Sequence, residues 1–156
     1  MDKKLGLFLL FLILISIGGL FAQNDYGYIK PTFSGGVSNF SCDDFTDSLI
    51  SLALDVDFVS ISGLTFGFHS LQAWSGAIAP FSFVAFGIGY SLNVNRWSTG
   101  IKVMAVPFSD GGIGFDANET LWFNEYIGLT AILNYYIGIG SKWDMYSARL
   151  GISAKI

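Results

Sequence analysis

The chain has 156 residues and a formal net charge of −4, with 13% charged, 52% hydrophobic and 17% aromatic side chains. That length suits one domain, and the acidic balance excludes a nucleic-acid surface. Soluble proteins carry about 25% charged residues; this chain has too few to cover an exterior that faces water, which points the exterior at lipid.

The first predicted element is an export signal. Lys3 and Lys4 precede an apolar run over 5–17 interrupted only by Gly6 and Ser16, and the small residues Gly18, Gly19 and Ala22 follow. A short basic region, an apolar stretch and small residues are the layout of a signal peptide, expected here over 1–22 with cleavage after Ala22. An uncleaved anchor fits less well, because the run reaches about 17 residues even when extended to Phe21, the short limit for a helical span. Residues 23–156 then form one domain of 134 residues with six basic and eleven acidic side chains, a net charge of about −5. The single cysteine, Cys42, excludes an internal disulfide and lies too far from the cleavage point to carry an N-terminal lipid.

Beyond residue 22 the period is two throughout, the signature of strands with two different faces. The first stretch, 26–37, sets Ile29, Pro31, Phe33, Gly35 and Val37 against Tyr28, Lys30, Thr32 and Ser34, and the polar run 39–47 reads as a break. The second, 49–59, sets Ile50, Leu52, Leu54, Val56 and Phe58 against Ser51, Ala53, Asp55 and Asp57. A tight turn over 60–63 leads to the third, 64–74, where Leu64, Phe66 and Phe68 oppose Thr65, Gly67 and His69. The fourth, 82–92, sets Val84, Phe86, Ile88, Tyr90 and Leu92 against Phe83, Ala85, Gly87, Gly89 and Ser91. A helix over 77–92 is the alternative there, but Pro80, Gly87, Gly89 and the alternation argue for a strand.

The fifth stretch, 98–106, sets Ile101, Val103 and Ala105 against Gly100, Lys102 and Met104. The sixth, 113–123, puts Phe115, Ala117, Leu121 and Phe123 on its apolar face and forces Glu119 there with them. The seventh, 126–137, sets Ile127, Leu129, Ala131, Leu133, Tyr135 and Ile137 against Gly128, Thr130 and Asn134. The eighth opens near Trp143 and ends YSARLGISAKI, with Tyr146, Ala148, Leu150, Ile152, Ala154 and Ile156 opposed to Ser147, Arg149, Gly151, Ser153 and Lys155.

One face is repeatedly bulky and apolar, and the other small or polar with a few charges. A soluble sandwich or lipocalin places its bulk inside and its charges outside. A small membrane barrel inverts this, and closure satisfies every backbone group inside lipid. The predicted fold is therefore all-β: an eight-stranded antiparallel up-and-down transmembrane β-barrel after a cleaved signal peptide. Its last strand must pair with its first, which explains alternation up to Ile156. Trp74 and Trp143 fall at one expected rim and Trp97 and Trp122 at the other, as an aromatic girdle at the two membrane interfaces.

With this layout the chain resembles the small bacterial outer-membrane β-barrels of the OmpX, OmpA-barrel and OmpW types, across the signal peptide and all eight strands. YSARLGISAKI resembles the C-terminal strand read by the outer-membrane insertion machinery, although such strands usually end in an aromatic and this one ends in Ile156. The resemblance implies location in the bacterial outer membrane, contact with its lipid, and the insertion machinery as a partner during biogenesis. Its OmpW branch implies passage of small hydrophobic molecules.

No catalytic constellation is present in the sequence, which predicts no enzyme. One histidine, His69, is too few for a multi-histidine metal site, and the Gly-Ile-Gly fragments lack a full nucleotide-binding fingerprint; no cofactor is expected. The inward charges Asp55, Asp57, Lys102 and Arg149 stand out, with His69 opposite Asp55 and with Lys30 and Lys155 as further members. Buried charges must be paired, so the set predicts either a structural plug or a narrow passage. Two functions follow: a structural or surface-interaction barrel meeting an extracellular partner, or a channel or lateral conduit for a small hydrophobic solute.

Overall fold

An eight-stranded barrel has interior space only for side chains, so a sheet with one small face and one bulky face closes with the small face inward. The computed structural model describes residues 27–43, 45–75, 81–107, 111–140 and 142–156; the expected signal peptide over 1–22 lies outside them. Eight strands follow in chain order: β1 (Gly27–Cys42), β2 (Phe45–Ser60), β3 (Leu64–Trp74), β4 (Phe81–Val94), β5 (Trp97–Val106), β6 (Gly112–Trp122), β7 (Ile127–Gly138) and β8 (Trp143–Ala154). Each pairs antiparallel with the next, and β8 pairs with β1, so the sheet is a closed barrel.

The expected alternation is the observed one. Phe33, Ile101, Leu133 and Leu150 are each more than 60% exposed on the outer wall, whereas Thr32, Lys102, Asn134 and Arg149, one residue away, are buried. Exposed apolar surface of this extent on every strand does not suit water. It suits hydrocarbon, where the paired ladders leave no strand edge unsatisfied.

The seam between β1 and β8 holds to the final residue. Ile29 and Ile156 exchange backbone hydrogen bonds of 2.9 Å in both directions, and the Lys155 amide donates to the Tyr126 carbonyl at 2.7 Å. Side chains stitch the same region: the Thr32, Ser153, Thr130 and Thr120 hydroxyls form a hydrogen-bonded row at 2.6, 2.5 and 2.9 Å across β1, β8, β7 and β6.

One sequence expectation is corrected. The polar run 39–47 is not a loop but the end of a long hairpin, with Asn39 paired to Ser48 and Cys42 to Phe45. Polar cross-strand contacts replace apolar ones here, as Ser48 Oγ donates to Asn39 Oδ1 at 2.6 Å and the Ser41 and Thr46 hydroxyls lie 3.2 Å apart. Asp43 adopts φ 51° at the tip, a conformation that aspartate tolerates better than most residues. β2 continues over 45–49 beyond its last pairing with β3, Ile50 to Trp74, so this hairpin stands above its neighbour on the rim away from the termini.

Candidate functional site: the lumen

Strand alternation delivers every second residue to the interior, and the interior sorts into layers. Toward the β1–β2 tip it is apolar, with Leu49, Leu71, Phe83, Val106, Tyr136, Trp143 and Met145 buried together. Phe83 meets Tyr136 edge-on at 4.8 Å between ring centroids, and Trp143 stacks on Phe40 at 6.3 Å. Toward the termini lies the hydroxyl row, with Thr65 and Ser91 in contact at 2.9 Å. Between these two layers is a network of charges.

The network has two linked halves. In one, Lys102 Nζ lies 2.5 Å from Asp57 and 3.2 Å from Asp116, while Lys30 Nζ lies 3.5 Å from Asp57 and donates to Asn118 at 2.7 Å. Asn118 and Asn134 each donate to Asp116, at 2.9 and 2.5 Å. In the other half, Asp55 accepts from Arg149 at 3.3 Å and contacts His69 Nδ1 at 2.5 Å. Arg149 also donates to Ser34 at 2.9 Å and to Asn134, and Asn134 thereby joins the halves. Three carboxylates face two lysines and one arginine, all with side chains at most 4% exposed. Every buried carboxylate has a cation in reach, the condition under which buried charge is tolerated.

Room for these long side chains comes from small residues on the facing strands. A Cβ on Gly67 would meet Asp57 Oδ1 at 2.7 Å and Lys102 Cδ at 2.9 Å, and one on Gly36 would meet Arg149 Cα at 2.8 Å. His69 sits at the boundary of layers, in hydrogen-bond contact with Asp55 below and stacked on Tyr136 at 5.8 Å above. Among the described residues, no group of three His, Cys, Asp or Glu side chains is arranged to hold a metal.

Asp55, Asp57, His69, Lys102 and Arg149 are thus brought into one network, and Lys30 joins it. Lys155 does not. It lies at the mouth near the termini, 4.2 Å over the Tyr28 ring and 5.7 Å from that of Trp122. Sequence reasoning missed Asp116 and Asn118 as members. Both share the parity of Gly114 and Thr120 on β6, opposite to Phe115 and Ala117, and that parity was the available signal.

The aromatic girdle needs correction. Trp74 and Trp97 face outward at opposite rims, 37% and 49% exposed. Trp122 and Trp143 are 7% and 8% exposed and face the lumen. The reason is parity: Trp143 shares the inward face of β8 with Met145, Ser147 and Arg149, and Trp122 that of β6 with Asn118 and Thr120. They close the two ends of the interior, Trp143 against Phe40 and Trp122 edge-on to Tyr28 at 6.5 Å.

No protein-family model and no curated protein matches the sequence. Solved structures do match in fold. Neisserial surface protein A is similar at a TM-score of 0.61 and 10% identity, over 85% of this chain and 98% of that one. Ail, the attachment invasion locus protein of Yersinia pestis, is similar at 0.59 and 11%, over 84% and 99%. The outer membrane protein OprG of Pseudomonas aeruginosa is similar at 0.50 and 13%, over 84% and 96%. A bulky apolar wall, a small polar interior, eight neighbour-paired strands and these likenesses agree: the chain has the fold of the small eight-stranded outer-membrane β-barrels.

Proposed function

We propose that this protein is an integral outer-membrane barrel with a structural or surface-interaction role and a filled, non-conducting lumen. The observation that carries this reading is the sealed interior: an apolar layer lies on top of a charge network whose members are all engaged with one another. Water crossing the barrel would have to pass Phe83, Tyr136, Trp143 and Met145, which are buried in mutual contact. The reading assigns no catalysis, since each inward carboxylate is held by a cation within the network.

A lateral conduit requires a break in the wall, and the ladders between the described strands run without one from β1 round to β8. The β1–β2 hairpin, whose polar cross-strand contacts run past the last pairing of β2 with β3, is the feature best suited to meet an extracellular partner. Two of the similar structures are a surface protein and an attachment protein, and a role of that kind suits such a hairpin. Planar-bilayer recording of the refolded protein tests the reading. No stepwise conductance is expected; steady ion-conducting steps would overturn it.

A further inference from the structure

The outer wall holds one residue that a lipid-facing surface does not explain. β6 turns Phe115, Ala117 and Glu119 outward. Among the described residues, Glu119 is the only charged side chain that β3 to β7 turn outward, and it has no ion-pair or hydrogen-bond partner there. Its neighbours across the ladders are small, Thr99 on β5 and Ala131 on β7, so the carboxylate stands clear. It lies two residues, about 7 Å along the strand, from the row of Trp97, Leu121 and Leu129 that borders the rim nearest the termini. A charged group at that depth reaches the boundary between headgroups and acyl chains, where leaving it unpaired is costly.

A groove of about 550 Å³ runs beside it on the same wall. Two rows of side chains bound this groove, one formed by Ile88, Val103, Phe115 and Tyr135, the other by Tyr90, Ile101, Ala117 and Leu133. The second row has a single small member, Ala117, and that gap opens toward Glu119, the next outward residue of β6. An apolar groove with a carboxylate one outward position beyond its last row matches an amphiphile with a hydrocarbon chain and a cationic head. A second copy of the chain is a poorer match, because among the described residues no strand turns a lysine or arginine outward.

We infer that Glu119 and the groove at Ala117 bind a phospholipid with a primary-ammonium headgroup from the leaflet on the termini side, the ammonium on the carboxylate and an acyl chain in the groove. This rests on the outer-membrane reading. The headgroup donates charge-assisted hydrogen bonds to Glu119, and Thr99 and Ala131 leave it the space to do so.

The test is refolding into vesicles of equimolar phosphatidylethanolamine and phosphatidylglycerol with identical acyl chains, then native mass spectrometry of the extracted protein, with the heat-modifiable gel shift as folding control. Preferential retention of phosphatidylethanolamine is expected. Glu119→Gln should lower that retention roughly tenfold, the worth of one charge-assisted hydrogen bond. Ala117→Phe fills the gap without touching the carboxylate and should lower it too. Equal retention of the two lipids by inserted wild-type protein, or unchanged retention by folded Glu119→Gln, would overturn this inference alone. A dimer lost in Glu119→Gln without any change in lipid would assign the site to a second copy and overturn it as well. Failure of the wild-type chain to enter vesicles would overturn the outer-membrane reading and this inference with it.

Discussion

Gly89 lies directly across the β4–β5 ladder from Lys102, and a Cβ built on it would stand 2.6 Å from Lys102 Cα and 1.9 Å from the Ile101 carbonyl oxygen. Both contacts are with backbone, which cannot swing aside. The lysine runs over this glycine to reach Asp57 and Asp116. Gly89→Ala should therefore destabilise the barrel by about 1–3 kcal/mol, the usual cost of overpacking. Gly100 is the control. A Cβ there meets only side-chain ends, Asn118 and Ser91 at 3.0 Å, so Gly100→Ala should cost markedly less. Urea titration of the protein folded in lipid vesicles ranks the two, and equal losses would show that the fit over Lys102 is not what Gly89 supplies.

The Arg149–Asp55 pair yields a second prediction. Arg149→Met leaves Asp55 with His69 as its remaining partner, and removing one member of a buried ion pair costs about 3–5 kcal/mol. A double-mutant cycle with Asp55→Asn should recover a large part of that loss. The same cycle with Asp57→Asn should show weak coupling, because Asp57 is held by Lys30 and Lys102 instead. Coupling of equal size to both aspartates would mean that the network acts as one diffuse charge pool.

The wall yields a third. Phe86 faces outward between Phe68 and Ala105 and is 43% exposed. Arginine on the lipid face near the bilayer midplane costs about 2–4 kcal/mol, so Phe86→Arg should lower stability in vesicles by that order. A Phe86→Arg protein as stable as wild type would place this face in water.

How much of this was legible in the sequence depends on which quantity is asked for. Facing is carried by parity alone, so eight strands, their inner and outer residues and the closed fold could be read without coordinates. Where parity was set aside the reading went wrong. Trp122 and Trp143 were assigned by rim position, and the residues beside them, Thr120 and Ser147, already fixed them inward. The polar run 39–47 misled for a different reason: the ladder continues through it while its bulk, Phe40, shifts to the inward parity and packs on the interior. Partner choice inside the lumen was legible in part: inward parity and opposite charge point Arg149 to Asp55 or Asp57, and it pairs with Asp55. Asp55 and His69 face each other on one ladder, but Lys102 reaches Asp57 across the interior from a strand three places away. The shear of the closed sheet sets that contact, and no local spacing encodes it.

Truncation yields a fourth prediction. Deleting 150–156 removes the β8 partners of Thr32 to Gly35 and both hydrogen bonds between Ile29 and Ile156. It bares two rows of backbone groups to hydrocarbon, each costing several kcal/mol when unsatisfied. The shortened chain should lose the heat-modifiable gel shift and its protease resistance in vesicles. Retention of both would remove the seam from the account of stability.

The seam also governs the route by which the barrel forms. Seven of the eight ladders join strands adjacent in sequence, so each needs only a short loop to close. The eighth joins groups as distant as Thr32 and Ser153, 121 residues apart. Local hairpins form quickly, and contacts of high sequence separation come late because loop-closure entropy must be met before they give anything back. An assembling chain therefore passes through a curved ribbon with two free edges, and a single ring-closing event ends its exposure to mispairing. The hydroxyls of Thr32, Ser153, Thr130 and Thr120 lie at that junction. Thr32 and Ser153 bridge it directly, and once closed the row is a latch that holds the ring shut.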